Sequence, residues 1–131
     1  MKSIVMNRVR YQETDQMGIV NSSVYYIWFE IGRTEWLREM GLTYRECEEK
    51  GWLLPIIESG CSYKSPVSYD DMIEIETIMS KEKGISFRFD YTIRSGQKTT
   101  ATGFTRHVCV DRNRKINRES AKKLMEALKL E

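Results

Sequence analysis

The chain has 131 residues and a mass of 15.5 kDa, with 40% hydrophobic and 31% charged residues. This composition excludes a disordered protein, and a chain of this length can bury a hydrophobic core without metal or disulfide support. We therefore predict a single domain over residues 1–131. The 21 basic and 19 acidic residues leave a net charge of +2, which is too small to favour a nucleic acid or an anionic membrane as partner.

The N-terminus and the cysteines both favour the cytoplasm. MKSIVMNRVRYQETD has no apolar stretch long enough for a signal peptide, and no later stretch reaches membrane-spanning length. Cys47, Cys61 and Cys109 show no C-x-x-C spacing, so we interpret them as reduced packing or surface residues. They form no ligand pair with the only histidine, His107, and no metal site is predicted.

The first half of the chain predicts one strand and two helices. SIVMNRVRY is rich in β-branched residues and predicts a strand. The run VYYIWFEIGRTEWLREMG, from about Ser23, is too long for a strand and predicts a helix that ends at Gly41. Its first half is apolar on nearly every side, so its first turns should be the more enclosed. Thr43 and Glu46 have capping-box spacing, which predicts a short helix ending before Gly51.

The second half changes to the period of β-strands. SFRFDYTIR alternates strictly, and MIEIETIM before it and TTATGFTRHVCV after it are similar, joined by the turn-like segments KEKG and RSGQK. LLPIIESGCSYK upstream adds another strand, and RESAKKLMEALK predicts a C-terminal helix. The element order β-α-α-β-β-β-β-α predicts an α+β fold, in which a mostly antiparallel sheet packs against the long helix.

The segment ETDQMGIVNSS, before the long helix, contains the residues that favour catalysis. A helix that begins near Ser22 or Ser23 has leading N–H groups without intrahelical acceptors, at the positive end of the helix dipole. If these groups face a cleft, they can stabilise an oxyanion, while Asp15 attacks a carbonyl or deprotonates a water. The alternative is that Asp15 is a turn residue whose carboxylate bonds local backbone.

Three stretches of the chain resemble one protein family. ETDQMGIVNSSVYYIWFE, followed by RTEWL, resembles the signature of hot-dog-fold acyl-CoA thioesterases of the 4-hydroxybenzoyl-CoA and YbgC type, and SYKSPVSYDDMIEIETIM and GFTRHVCVD resemble two further stretches. The resemblance implies a five-stranded antiparallel sheet wrapped around a long central helix. It also implies a homodimer or homotetramer with active sites between protomers, acyl-CoA as substrate, and no cofactor beyond the coenzyme A of that substrate.

The resemblance also assigns roles to individual residues. Asp15 matches the family's catalytic aspartate, and the backbone N–H near Ser22 matches its oxyanion donor. The expected oxyanion and substrate-binding residues are Gly18, Asn21, Ser22 and Tyr25. The expected acyl pocket consists of Val24, Trp28, Ile57 and Tyr63, for which core packing is the alternative. The expected contacts with coenzyme A are Lys81, Lys83, Gly84, Ser86 and Arg88, for which a solvated hairpin is the alternative.

Some features depart from this family or leave other functions open. Many YbgC-type members have a histidine where this chain has Ser22, so histidine-assisted catalysis is not expected, and neither is a serine nucleophile. We interpret Glu30 as the i,i+3 ion-pair partner of Arg33, with catalysis by Glu30 as the alternative. A non-catalytic module that binds acyl-CoA or acyl-carrier protein is the main alternative function. A hot-dog dehydratase would normally require a histidine early in the helix.

Overall fold

A computed structural model describes residues 1–128, which form an α+β fold. The strands are β1 (Lys2–Arg8), β2 (Ile56–Tyr63), β3 (Met72–Lys81), β4 (Phe87–Ser95) and β5 (Lys98–His107). The helices are α1 (Val24–Glu39), α2 (Tyr44–Glu49) and α3 (Arg118–Ala127), and a 3₁₀ turn spans Tyr11–Glu13. The five strands form one antiparallel sheet in the order β1-β3-β4-β5-β2. The predicted α+β class and antiparallel sheet are confirmed.

Several element ends differ from the prediction. Tyr11 was predicted in the first strand but belongs to the 3₁₀ turn, where the chain leaves the sheet. β2 begins only after Pro55, which has no N–H to donate to the ladder. β5 stops at His107, and Val110 beyond it makes only isolated bridges. The predicted C-terminal helix reached Lys129, which lies outside the described residues.

The ends of the first two helices follow the predicted signals. After α1 the N–H of Leu42 donates to the carbonyl of Leu37 at 3.1 Å, around Gly41 with φ of +86°, which is a Schellman motif. The Oγ1 of Thr43 accepts from the N–H of Glu46 at 3.1 Å, and the Glu46 carboxylate accepts from the N–H of Thr43 at 3.3 Å. The predicted glycine stop and the predicted capping box are both confirmed.

One face of α1 packs against the sheet along its whole length. The buried residues recur in pairs every four positions: Val24, Tyr25, Trp28, Phe29, Gly32, Arg33, Trp36 and Leu37. The prediction that the first turns are more enclosed than the rest is wrong for the single chain, because Tyr26 and Ile27 are 38% and 50% exposed. These two apolar side chains form an unburied second face at the start of α1.

The sheet face below α1 is aromatic. The predicted alternation in β4 is confirmed, since the buried residues are Phe87, Phe89, Tyr91 and Ile93. Phe29 of α1 stacks on Tyr91 with ring centroids 4.4 Å apart and planes 8° from parallel. A side chain at Gly103 of β5 would overlap the Phe29 ring, so glycine there permits the close approach of helix and sheet.

His107 is fully buried at the end of β5 and hydrogen-bonded through both ring nitrogens. Its Nδ1 lies 2.9 Å from the carbonyl of Leu54, and because a carbonyl only accepts, Nδ1 carries the proton. Its Nε2 therefore accepts from the hydroxyl of Thr105, 2.8 Å away, which in turn accepts from the hydroxyl of Tyr91 at 2.5 Å. Burial lowers the pKa of His107 from 6.5 to about 4, so the ring is neutral and has a structural role.

Acid should destabilise the fold through His107. Between pH 6.5 and pH 4 the unfolded chain protonates this histidine while the folded chain does not, so the free energy of unfolding falls with pH by about 3 kcal/mol. Urea unfolding of wild type and His107→Asn across this range measures the effect. The asparagine can still donate to Leu54 but does not titrate. The free energy of unfolding of His107→Asn should therefore fall by about 3 kcal/mol less than that of wild type over the same pH range. Parallel pH profiles for the two proteins would contradict this assignment.

No helix within residues 1–128 combines the length and apolar character needed to cross a membrane. Cytoplasmic localisation stays a prediction.

Candidate active site

The segment that carries Asp15 is a tight turn between β1 and α1. The N–H of Asp15 donates to the carbonyl of Ile19 at 2.9 Å, and the N–H of Gly18 donates to the carbonyl of Asp15 at 3.0 Å. Gly18 has φ of +79°, a conformation that favours glycine. Val20 donates from its N–H to the carbonyl of Val67 at 2.8 Å, so the turn is also attached to the segment before β3.

Glu13 fixes this turn against α1 and was not among the predicted site residues. Its carboxylate is only 4% exposed, and it accepts from the indole N–H of Trp28 at 3.1 Å and from the N–H of Arg10 at 2.8 Å. Its backbone carbonyl accepts from the N–H of Asn21 at 2.9 Å. A buried carboxylate is costly unless it is bonded in this way. Glu13 therefore joins the two ends of the Asp15 turn to the first turns of the helix.

α1 begins after Ser23, as predicted, but the side chain that caps this end belongs to Asn21, because Ser23 makes no capping bond of its own. The Asn21 side-chain oxygen accepts from the N–H and the hydroxyl of Ser23, at 3.0 and 2.9 Å. The N–H groups of the next three residues donate to the carbonyls of residues 21–23 at 3.0 to 3.4 Å. The expectation of several unpaired leading amides is therefore wrong. Within the described chain, the N–H of Ser22 has no hydrogen-bond acceptor.

Asp15 and Ser22 line the same cleft. This cleft has a volume of about 480 Å³ and lies between the Asp15 turn, the start of α1 and the end of β2. Its lining includes Asp15, Ser22, Tyr25, Tyr63, Lys64 and Pro66. Lys64 and Pro66 were not predicted, because they approach Asp15 only through the folding of the sheet.

The Asp15 carboxylate has one oxygen held by the turn. Oδ1 accepts from the N–H of Met17 at 2.8 Å, which is the local bond that the turn-residue alternative anticipated. Among residues 1–128, Oδ2 has no hydrogen-bond donor beside it. The turn therefore orients the carboxylate of this cleft residue and leaves its second oxygen without a donor.

Tyr63 connects β2 to the helix start. Its hydroxyl donates to the carbonyl of Ser22 at 3.1 Å, and its ring meets Tyr25 edge-on with centroids 5.1 Å apart. Burial raises the pKa of Tyr63 and of Tyr25, and Cys61 beside them raises both further. Both phenols therefore stay protonated at neutral pH, and Tyr63 positions the residue whose N–H is unpaired.

The other predicted pocket residues lie outside this cleft. Trp28 is fully buried and bonded to Glu13, and Val24 is buried beside it in the core. The core-packing alternative fits both residues, because no ligand can reach them in this conformation. Ile57 is half exposed on the free edge of β2. Gly18 and Asn21 shape the turn and cap the helix without lining the cleft.

Three of the five predicted coenzyme A residues line a groove beside α3. Lys81, Gly84 and Ser86 form one wall of a cavity of about 300 Å³, and α3 adds Arg118 and Lys122. Lys83 is exposed outside this groove. Arg88 lies on the opposite face of the sheet, paired with Asp90 at 3.0 Å and stacked over Phe104. The strand period explains the side on which Arg88 lies, because it stands between the buried Phe87 and Phe89 of β4 and therefore faces away from the core.

Among residues 1–128, this site has neither a metal-binding cluster nor a cysteine of lowered pKa beside it. Within residues 1–128, no three His, Cys, Asp or Glu side chains are grouped so that they could hold a metal ion. The three cysteines are free thiols, and burial raises the pKa of Cys47 and Cys109 to about 11. Both are therefore protonated packing residues.

Comparison with known proteins identifies the family. The sequence model that describes the thioesterase-like superfamily matches residues 9–128 of this chain. The chain belongs to this superfamily. It is 29% identical to the acyl-CoA thioesterase YbgC of Haemophilus influenzae, over 79% of this chain and 77% of that protein. A hypothetical protein from Thermus thermophilus is 33% identical, with a TM-score of 0.85 and coverage of 98% and 96% of the two chains.

A gentisyl-coenzyme A thioesterase also shares the fold. It is 26% identical with a TM-score of 0.82, and the match covers 88% of this chain and 94% of that one. The predicted resemblance, the hot-dog fold and thioester hydrolysis as the reaction class are confirmed.

Loss of the Tyr63 hydroxyl should slow thioester hydrolysis. Tyr63→Phe removes the bond to the Ser22 carbonyl, so kcat should fall about two- to tenfold, the range for one hydrogen bond. Steady-state assays with an acyl-CoA measure the change. Tyr69→Phe is the matched control, because Tyr69 is exposed outside the cleft. Equal kcat values for the two variants would show that Tyr63 does not position Ser22.

Proposed function

We propose that this protein is an acyl-CoA thioesterase that hydrolyses its substrate to a free acid and coenzyme A. One observation carries the proposal: Asp15, which has a carboxylate oxygen without a donor, and Ser22, whose N–H has no acceptor within residues 1–128, line one cleft. A carbonyl placed between them meets a base or nucleophile on one side and an oxyanion donor on the other. The related YbgC protein, named an acyl-CoA thioesterase, supports this substrate class.

In the proposed mechanism the Ser22 N–H donates to the thioester oxygen as negative charge develops on it. Asp15 either attacks the carbonyl carbon, forming an anhydride that water then cleaves, or deprotonates the water that attacks. Both routes begin from the same contact between the carboxylate and the reacting centre. The positive end of the α1 dipole adds to the stabilisation of the oxyanion.

The chemistry of a thioester suits this small set of groups. The leaving group is a thiolate, and a cysteine-like thiol has a pKa of about 8.5, so departure needs little general-acid help. His107 is buried and bonded in the core, and it lies outside the cleft. The proposed reaction therefore uses no histidine. That it needs no cofactor beyond the coenzyme A of the substrate stays a prediction.

The proposed active enzyme is a homodimer joined through β2. Within residues 1–128 this strand pairs only with β5, so its other edge is open. An open edge with apolar side chains readily pairs with another strand. Ile57 is exposed on this edge, and Tyr26 and Ile27 of α1 are also unburied. A second copy would cover all three, and two such dimers would form the homotetramer.

Dimerisation would bring the coenzyme A groove to the cleft of the other chain. The hairpin between β3 and β4 lies at the end of the sheet opposite Asp15. The ten residues of β3 span the distance between these two ends, about 30 Å. If a two-fold axis perpendicular to the sheet relates the two chains, their β2 strands run antiparallel. The partner's hairpin end then lies beside this chain's Asp15 end. We therefore place the coenzyme A phosphates against Lys81, Arg118 and Lys122 of the partner, through charge-assisted hydrogen bonds.

Asp15→Asn should lower kcat/KM by at least about a hundredfold, because an amide is neither a base nor a competent nucleophile. Release of free thiol from acyl-CoAs measures the loss. Asp111→Asn is the matched control, since its Oδ1 also accepts from the N–H two residues later at 2.8 Å but lies in another loop. Full activity of Asp15→Asn would overturn the mechanism. Binding of acyl-CoA without thiol release by wild type would instead favour the non-catalytic module.

An acyl-carrier protein as the acyl donor stays a prediction.

Ile57→Asp should separate the dimer and reduce activity together, because it places a charge at the open β2 edge. Light scattering after size exclusion gives the mass, and the same samples are assayed for thiol release. Ile116→Asp is the control, because Ile116 is similarly exposed but lies beyond β5. A wild-type protein with the mass of one chain and full activity would exclude a shared site.

A further inference from the structure

A second cavity lies near the other end of α1, away from the Asp15 cleft. It has a volume of about 460 Å³ and lies between α1, α2 and the segment that enters β2. Arg33 and Tyr44 line it together with the apolar residues Leu54, Pro55 and Ile56. Arg33 follows Tyr25 of the Asp15 cleft by eight residues, which is about 12 Å along the helix axis.

Arg33 is a buried cation that has no carboxylate partner among residues 1–128. It is 9% exposed, and its Nε atom has no hydrogen-bond acceptor. The predicted ion pair between Glu30 and Arg33 is wrong: in the described part of the chain no carboxylate reaches ion-pair distance of this guanidinium. Burial acts to lower the pKa of Arg33, but the hydroxyls of Tyr91 and Tyr44 beside it raise it above its ordinary value. The guanidinium therefore stays charged.

Two acidic residues at this cavity do not neutralise the guanidinium. Glu30 and Glu48 belong to its lining, but both side chains are exposed. Exposed carboxylates beyond ion-pair distance are screened by water and salt. A buried charge without a counter-ion is costly. The planar fork of N–H groups on arginine matches the two oxygens of a carboxylate.

We propose that the Arg33 cavity binds the carboxylate of a small organic molecule. The carboxylate either belongs to a free organic acid or forms the far end of a dicarboxylic acyl group on the thioester. The second source rests on the proposed function. In the antiparallel dimer described above, the Ile56 end of one β2 lies beside the Tyr63 end of the other. The partner's Arg33 cavity then adjoins the Asp15 cleft, where the far end of an acyl group would lie.

Direct binding tests the site without any enzymatic step. Wild-type protein is titrated with glutarate, and with 1-pentanol as a neutral probe of similar length, while the Nε–H resonance of Arg33 is followed by NMR. Glutarate should shift this resonance and pentanol should not. Calorimetry should show glutarate binding weakened at least about tenfold in Arg33→Gln, and strengthened in Glu48→Gln, which removes a nearby negative charge.

Tyr44→Phe covers the case in which Arg33→Gln does not fold. It removes only the hydroxyl beside the guanidinium, so it should change the glutarate affinity while the circular dichroism spectrum stays that of wild type. An Arg33 resonance that glutarate leaves unmoved, with unchanged calorimetry in every variant, overturns the assignment of a free acid.

The acyl source is tested by comparing kcat/KM for glutaryl-CoA and pentanoyl-CoA, which have equal chain length. A preference for glutaryl-CoA that disappears in Arg33→Gln or Tyr44→Phe assigns the carboxylate to the acyl group. Absence of this preference in an active enzyme, together with no glutarate binding, overturns the proposal. If no acyl-CoA is hydrolysed, the proposed function fails, and the glutarate titration alone decides whether the Arg33 site exists.

Discussion

The buried carboxylate of Glu13 is the constraint on which the candidate active site depends. Its two oxygens accept from the Trp28 indole and the Arg10 N–H, while its backbone carbonyl accepts from Asn21. These bonds tie the turn that carries Asp15 to the helix whose start presents Ser22. Without them, the carboxylate and the unpaired amide would belong to two separately moving segments. Because Trp28 is fully buried between helix and sheet, the packing of the core determines the geometry of the cleft.

The distribution of apolar surface indicates that the single chain is incomplete. One face of α1 is buried on aromatic residues of the sheet, yet Tyr26 and Ile27 at its start are exposed, and so is Ile57 on the open edge of β2. Tyr26 and Ile27 directly follow Tyr25 of the cleft, whereas Ile57 lies at the other end of β2. A partner that covered them would remove apolar surface from water and would close the site in the same step. Stability and catalysis would then depend on the same interface.

The two cavities along α1 differ in the charge that they present. The Asp15 cleft offers a carboxylate and a backbone donor at the helix start, whereas the second cavity offers the buried guanidinium of Arg33. A neutral reacting carbonyl suits the first and an anionic group suits the second. If dimerisation joins them, one acyl group would meet both, and the distance between them would select its length.

The sequence by itself determined the α+β class, the alternation in β4 and the helix ends at Gly41 and Thr43, and it suggested Asp15 as the candidate base or nucleophile, because each depends on local spacing or on a contiguous motif. Only the tertiary structure decided which groups are paired. It showed that Asn21 caps α1, that Trp28 belongs to the core, and that Arg33 forms no ion pair with Glu30. It also placed Lys64 beside Asp15, and Arg118 beside Lys81. Such pairings join residues far apart in the chain or depend on side-chain direction, and neither follows from residue type and spacing alone.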